Sequence, residues 1–151
     1  MRLPAHLCAL GLLASTAVTA QAKPSVQAFA STAGTGLPYS GAVRAGDTVY
    51  VGGVQGLADD GRSVVPGGIR AESRAALAHI SDMLGVAGAS LEDVAACTVL
   101  LADLGDFPGL NDVFRTTFPV DPPTRSTIIV AALSNQARVE IGCTAFSPPE
   151  P

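Results

Sequence analysis

The stretch Arg138-Val139-Glu140-Ile141-Gly142-Cys143-Thr144-Ala145-Phe146 alternates with a period of two. In extended backbone successive side chains point to opposite faces. Val139, Ile141, Cys143 and Ala145 then share one side, and Glu140, Gly142, Thr144 and Phe146 share the other. The first set suits packing against helices. The second is mostly small or polar and carries a carboxylate, so the stretch reads as one strand of a sheet covered on a single face.

Just upstream, Pro122-Pro123-Thr124-Arg125-Ser126-Thr127-Ile128-Ile129-Val130 runs from a proline-stiffened loop into a β-branched strand extending to about Ala132. Leu133-Ser134-Asn135-Gln136-Ala137 turns the chain between the two strands. Arg125 stands at the loop–strand junction. A guanidinium there is either an ordinary surface charge or a fork placed to grip a carboxylate through two hydrogen bonds. Glu140 likewise has two readings, as a strand carboxylate paired with a nearby arginine such as Arg138, or as a proton-handling group.

Earlier in the chain, Tyr39–Ala45 reads as a short strand, Ala45-Gly46-Asp47-Thr48 as a turn, and Thr48–Val51 as a second strand. Gly52 and Gly53 follow directly, and such glycines mark either a simple bend or a close approach by a ligand or another backbone. Asp59-Asp60-Gly61 is a hairpin turn. Ile69 to Val86 is predicted helical, with Leu77, Ile80 and Leu84 at helical spacing and Glu72, Arg74 and Asp82 on other faces. Gly88 stops it. His79 reads as a plain helix-surface residue. Val94–Leu101 is a strand. Asp106 is placed to cap a second helix, with Pro108 in its first turn and Leu110, Val113, Phe114 and Thr117 as its buried stripe, ended by Pro119. Three strands, a helix, a strand, a helix and two strands make an α+β sheet with both helices on one face. The other face is either solvated or meets copies of the same chain.

At 151 residues, 48% hydrophobic and 15% charged, the chain has the balance of one folded domain. Its net charge of −4, with one lysine and eight scattered arginines, disfavours nucleic acid as a partner. Leu7 to Ala20 is almost wholly apolar or small, and Ala20-Gln21-Ala22 is an A-x-A cleavage site, so residues 1–22 are predicted to be a secretory signal peptide. The alternative is a retained N-terminal helix. Export to the periplasm or beyond follows from the first reading, with no membrane attachment after cleavage. Residues 23–37 then form a loose lead-in, 38–147 the domain, and 148–151 a tail. Cys97 and Cys143 remain in the mature chain. They are either one disulfide or two small hydrophobes, and no histidine stands near them at zinc-site spacing.

Four segments carry a resemblance to the Rid family of reactive intermediate deaminases, also called YjgF or L-PSP endoribonucleases. They are Ala87-Gly88-Ala89-Ser90-Leu91-Glu92-Asp93-Val94, Leu104-Gly105-Asp106-Phe107 with Asn111 and Phe114, Pro123-Thr124-Arg125-Ser126, and Val139-Glu140-Ile141. The resemblance implies a chorismate-mutase-like domain, a homotrimer formed through the sheets, and clefts for small molecules between subunits. It implies hydrolysis of 2-imino acids to 2-oxo acids and ammonia, with no cofactor and no metal. A non-catalytic, trimeric binder of small carboxylates is the alternative. Position by position, Arg125 matches the arginine that binds the substrate carboxylate and Glu140 a glutamate beside the attacking water. Tyr39, Asn111, Gly52 and Gly53 match residues lining the cleft. Gly52 stands where the best-studied branch has serine, and Thr127 where it commonly has cysteine. Val54-Gln55-Gly56 replaces a usual Gln-Ile-Pro.

Overall fold

The computed structural model describes residues 25–30 and 38–148. The predicted signal segment 1–22, most of the link at 31–37 and the last three residues lie outside them. Six strands form one sheet: β1 (Val26–Phe29), β2 (Ala42–Ala45), β3 (Thr48–Gln55), β4 (Val94–Leu101), β5 (Thr124–Ile129) and β6 (Val139–Phe146), in the spatial order β1-β2-β3-β6-β4-β5. Only β4 and β5 are parallel. Parallel neighbours need a crossover, and α2 (Phe107–Thr117) supplies it, packing beside α1 (Gly68–Val86). The fold is α+β, as the strand alternation implied.

Val139, Ile141 and Ala145 of β6 are fully buried and Cys143 nearly so, against Leu77, Ile80 and Leu84 of α1 and Leu110 and Val113 of α2. The opposite face presents Tyr50 and Phe146 to solvent together with Ile128. Burying an apolar side chain of this size contributes about 1.5–3 kcal/mol, so one sheet face carries most of the core and the other has no cover among the described residues.

Several expectations need correction. Val26–Phe29, assigned to a loose lead-in, pairs antiparallel with Ala42–Ala45 as the sheet's edge strand. The hairpin turn at Asp59-Asp60-Gly61 does form, closed by the bridge Leu57↔Val64 and by the Ala58 N–H to Ser63 carbonyl bond at 2.8 Å, and Asp60 ties its loop by accepting from the Arg62 and Ser63 amides. Those bonds and the Ser63 hydroxyl pull its carboxyl pKa down to about 2. Asp106 makes no capping bond. Asp103 instead accepts from Gly105 N–H to open a short 3-10 turn, and Asp106 pairs with Arg138 at 2.8 Å. Thr117 is only half-buried, and Phe118 takes its place in the core, its ring 5.6 Å from that of Phe114. Glu72 does not lie on an outer face of α1. It is buried and accepts the Arg138 backbone N–H at 2.8 Å.

Two long-range ties fix the layers. The register of β4 against β6 sets Cys97 directly opposite Cys143, with Cα atoms 4.1 Å apart, and the two are joined as a disulfide on the helix-covered face. Arg44 in β2 reaches the C-terminal end of α1. It donates to the carbonyls of Ala87 at 2.8 Å and Gly88 at 2.9 Å, and also to those of Gly46 and Ser147. Helix C-termini leave carbonyls unpartnered and carry partial negative charge, so a guanidinium there satisfies both needs.

The disulfide closes a 46-residue separation, for which loop-closure entropy gives about 2–4 kcal/mol. The Cys97→Ala/Cys143→Ala variant is therefore expected to lose about 2–4 kcal/mol of unfolding free energy in a urea titration, seen as a lower midpoint, and an unchanged midpoint would contradict the tie. Arg44→Met removes hydrogen bonds from a charged donor. It should lower stability by at least about 1.5–3 kcal/mol in the same measurement.

Candidate active site

Across β3 and β6 the pairing runs Val51↔Cys143 and then Val54↔Ile141. Three steps along β3 match two along β6, so Gly52 and Gly53 together oppose Gly142 in a β-bulge. Strict alternation from Val51 would place Val54 on the open face. The extra residue returns Val54 to the helix side and brings Gln55 to the open side, directly opposite Glu140. β2 pairs with Thr48–Val51 and Gly52 N–H still donates to the Gly41 carbonyl at 3.3 Å, so the outer edge of β3 lies open only beyond Gly52. A cavity of about 540 Å³ occupies that gap. Tyr39, Gly52, Gly53, Gln55 and Glu140 line it, and His79 and Asp82 of α1 close its far side.

Glu140 is half-buried, and its Oε2 accepts from Gln55 Nε2 at 3.0 Å. Its other oxygen lies over Gly53, where a Cβ would sit 2.3 Å from Oε1. Gly53 is thus the residue that admits the carboxylate. Gly52 is open by comparison, since a Cβ there would meet nothing nearer than the Ser40 carbonyl oxygen at 3.9 Å. Arg138, the alternative partner for Glu140, is engaged with Asp106.

Arg125 lies elsewhere. It pairs with Cys97 across the parallel β4–β5 ladder, so its side chain leaves on the helix side, where Thr127 follows two residues on. Its guanidinium stands 4.6 Å from the Phe114 ring centroid and 5.6 Å from that of Phe107, and Nη2 donates to Asn111 Oδ1 at 2.6 Å. Partial burial pulls its pKa down from the ordinary arginine value, although an arginine remains cationic at any physiological pH. Among the described residues it takes part in none of the ion pairs. Cation–π contact and one hydrogen bond fix its plane while leaving donors free.

The sequence-predicted residues therefore form two groups. Tyr39, Gly52, Gly53 and Glu140 share the cavity, whereas Arg125, Asn111 and Thr127 form a second patch at the β5 edge. Arg125 and Glu140 are separated by two strand spacings, roughly 10 Å across the sheet, and by three residues, roughly 10 Å, along it, and lie on opposite faces. One chain does not bring them to one small ligand. Gln55, Ser134 and Asn135 were missed as site residues, because nothing in local sequence links a strand amide to a turn 80 residues away. His79, expected as a plain surface residue, forms part of the cavity wall. Among the described residues no group of three or more His, Cys, Asp or Glu is arranged to hold a metal ion.

Residues 29–147 match the family model described as Endoribonuclease L-PSP. The chain belongs to that family. Its relatives include a 2-iminobutanoate/2-iminopropanoate deaminase of Mus musculus, 39% identical over 112 residues, which are 74% of this chain and 83% of the mouse protein. RidA from an Antarctic Psychrobacter species has the same fold at a TM-score of 0.73 and 32% identity, over 80% of this chain and 98% of that one. E. coli TdcF, solved with bound serine, matches at a TM-score of 0.73 and 26% identity, again over 80% and 98%. These likenesses cover the sheet and both helices, and so confirm the chorismate-mutase-like architecture expected from the sequence.

The two glycines should separate in mutagenesis. Gly52→Ser fits the space and is expected to leave the urea midpoint within about 0.5 kcal/mol of wild type, the usual range for a substitution that meets no special feature. Gly53→Ala should also fold, since the atom it displaces ends a flexible side chain. It is expected to push the Glu140 carboxylate off Gln55, visible as a lost hydrogen bond in a crystal structure of the variant. An unmoved Glu140 would contradict the packing argument.

Proposed function

We propose that this protein is an exported homotrimeric deaminase that hydrolyses reactive 2-imino acids to 2-oxo acids and ammonia. The observation that carries the proposal is Arg125: a half-buried guanidinium, 4.6 Å from the Phe114 ring centroid and tied to Asn111, with no carboxylate partner among the described residues. Such a group is built to receive an anion, and a 2-imino acid presents a carboxylate beside its C=N bond. Relatives of Mus musculus and Capra hircus that are named 2-iminobutanoate/2-iminopropanoate deaminase support the same chemistry.

The homotrimer supplies what one chain lacks. Docking neighbouring copies through the uncovered face that holds Tyr50, Ile128 and Phe146 sets the Arg125 patch of one subunit against the Glu140 cavity of the next. Arg125 grips the carboxylate, a contact of about 1.5–3 kcal/mol, with Asn111 holding the guanidinium plane and Thr127 beside it. Gly52 and Gly53 offer backbone groups to the substrate, and Tyr39 borders the entrance. The iminium carbon is already electrophilic, so the protein has mainly to orient it and deliver water. Glu140 takes a proton from the water as its oxygen bonds to C2. Glu140 returns that proton to the nitrogen of the tetrahedral carbinolamine, and as the C–N bond breaks the hydroxyl oxygen forms C=O and its proton passes through Glu140 to the departing ammonia. Water and iminium are consumed, and 2-oxo acid and ammonium leave.

Export rests on the 1–22 segment and is supported by the Cys97–Cys143 disulfide, a bond that persists chiefly in oxidising compartments. Among the described residues no helix is long and apolar enough to cross a membrane. Despite the family's name, the net charge of −4 disfavours a phosphate backbone as substrate.

The test generates 2-iminopropanoate in situ with an amino-acid oxidase and follows semicarbazone trapping. Wild type should divert the imine before it is trapped, and Arg125→Ala should lose roughly 10- to 100-fold in kcat/KM, the equivalent of the carboxylate contact. A wild type no faster than buffer, with carboxylate binding still detectable, would instead favour the non-catalytic binder. Light scattering should give three chains per particle, and a monomer at micromolar concentration would leave the site unassembled.

A further inference from the structure

Gln55 is 8% exposed and its amide is almost fully engaged. One Nε2 hydrogen goes to Ser134 Oγ at 2.7 Å and the other to Glu140 Oε2 at 3.0 Å, while Oε1 accepts from Asn135 Nδ2 at 3.0 Å. Asn135 takes φ 57°, a left-handed conformation that asparagine tolerates better than most residues. The Ser134–Asn135 turn thus closes over Gln55 as a clamp, and the three side chains and Glu140 all line the same cavity. The amide has only one workable orientation. Turned over, it would set its carbonyl oxygen against a carboxylate oxygen and its NH2 against the NH2 of Asn135.

We infer that Gln55 is a positioning residue for Glu140, fixing which carboxylate oxygen handles the proton. This inference rests on the deaminase reading of the cavity. Oε2 is occupied by the amide, and Oε1 lies over Gly53, facing the space where a substrate and its water would sit. Oε1 is therefore the oxygen that accepts the water proton. A carboxamide neither gives up nor takes a proton near neutral pH, so it orients the carboxylate without competing for the proton. The β-bulge makes the pairing possible, because only the extra residue at Gly52-Gly53 brings Gln55 to the side of the sheet where Glu140 stands.

The discriminating experiment is a double-mutant cycle on 2-iminopropanoate with Gln55→Leu and Glu140→Gln. In the wild-type background Gln55→Leu should lower kcat roughly 10- to 100-fold with KM within about twofold, the size expected when a proton-handling group loses its alignment. In the Glu140→Gln background the same change should cost less than about twofold, because the group it positions is already gone. An equal loss in both backgrounds would assign Gln55 a merely structural role and overturn the inference, while leaving the deaminase reading intact. Should Gln55→Leu fail to fold, Ser134→Ala removes one side of the clamp at a partly exposed position. It should lower kcat by about two- to fivefold, again only while Glu140 is present. A wild-type kcat in Ser134→Ala would count against the clamp. A wild-type enzyme without imine hydrolysis would overturn the deaminase reading first, and the positioning role with it.

Discussion

One extra residue in β3 determines most of what surrounds the site. The bulge at Gly52-Gly53 changes which side chains face the open side of the sheet, so that Val54 joins the core and Gln55 meets Glu140. On its other edge β3 runs past the end of β2, and the cavity forms along that stretch beyond Gly52. A regular ladder would have put an amide into an apolar core and left the carboxylate without a neighbour, two changes that each cost free energy. The small residues at the bulge have separate duties. Gly53 leaves room for the carboxylate itself, and Gly142, opposite, leaves room for the β3 backbone.

The rest of the molecule keeps that local arrangement rigid. α1 covers β3 and β6, its far end is clasped by Arg44, and its buried Glu72 holds the Arg138 amide where the last turn enters β6. The disulfide locks the register of β4 to β6, and β4 in turn carries β5 and Arg125. The same frame thus sets both half-sites, and it sets them on opposite faces. A half-buried guanidinium without a carboxylate and a carboxylate without an arginine are each incomplete alone. Their separation across the sheet makes a second copy of the chain the economical way to join them.

Much of this was legible in the sequence, for a definite reason. The period-two alternation of Val139 to Phe146 sorted core from open face without any tertiary knowledge, and the helix at Ile69–Val86 followed from Leu77, Ile80 and Leu84. Arg125, Glu140 and the paired glycines were candidates because their residue types are unusual where they stand, and the resemblance to the Rid family gave them roles. What could not be read depended on register. Cys97 faces Cys143 only once β4 and β6 are aligned. Gln55 faces Glu140 only once the bulge is counted, and Arg44 finds the α1 carbonyls only when the helix is docked. The edge strand Val26–Phe29 was missed because it is only four residues long and sits within residues 23–36, a run rich in alanine, serine, threonine and glycine. Pairing with β2 supplies what local propensity does not.

A site shared between chains can be tested by mixing subunits. The Arg125→Ala and Glu140→Gln proteins, each expected to be nearly inactive, would be dissociated, mixed in equal amounts and allowed to reassociate. If Arg125 of one copy faces Glu140 of the next, random cyclic assembly restores intact sites, and roughly a quarter of wild-type activity should return. Activity that stays at the level of the parent variants after demonstrated mixing would contradict a shared site.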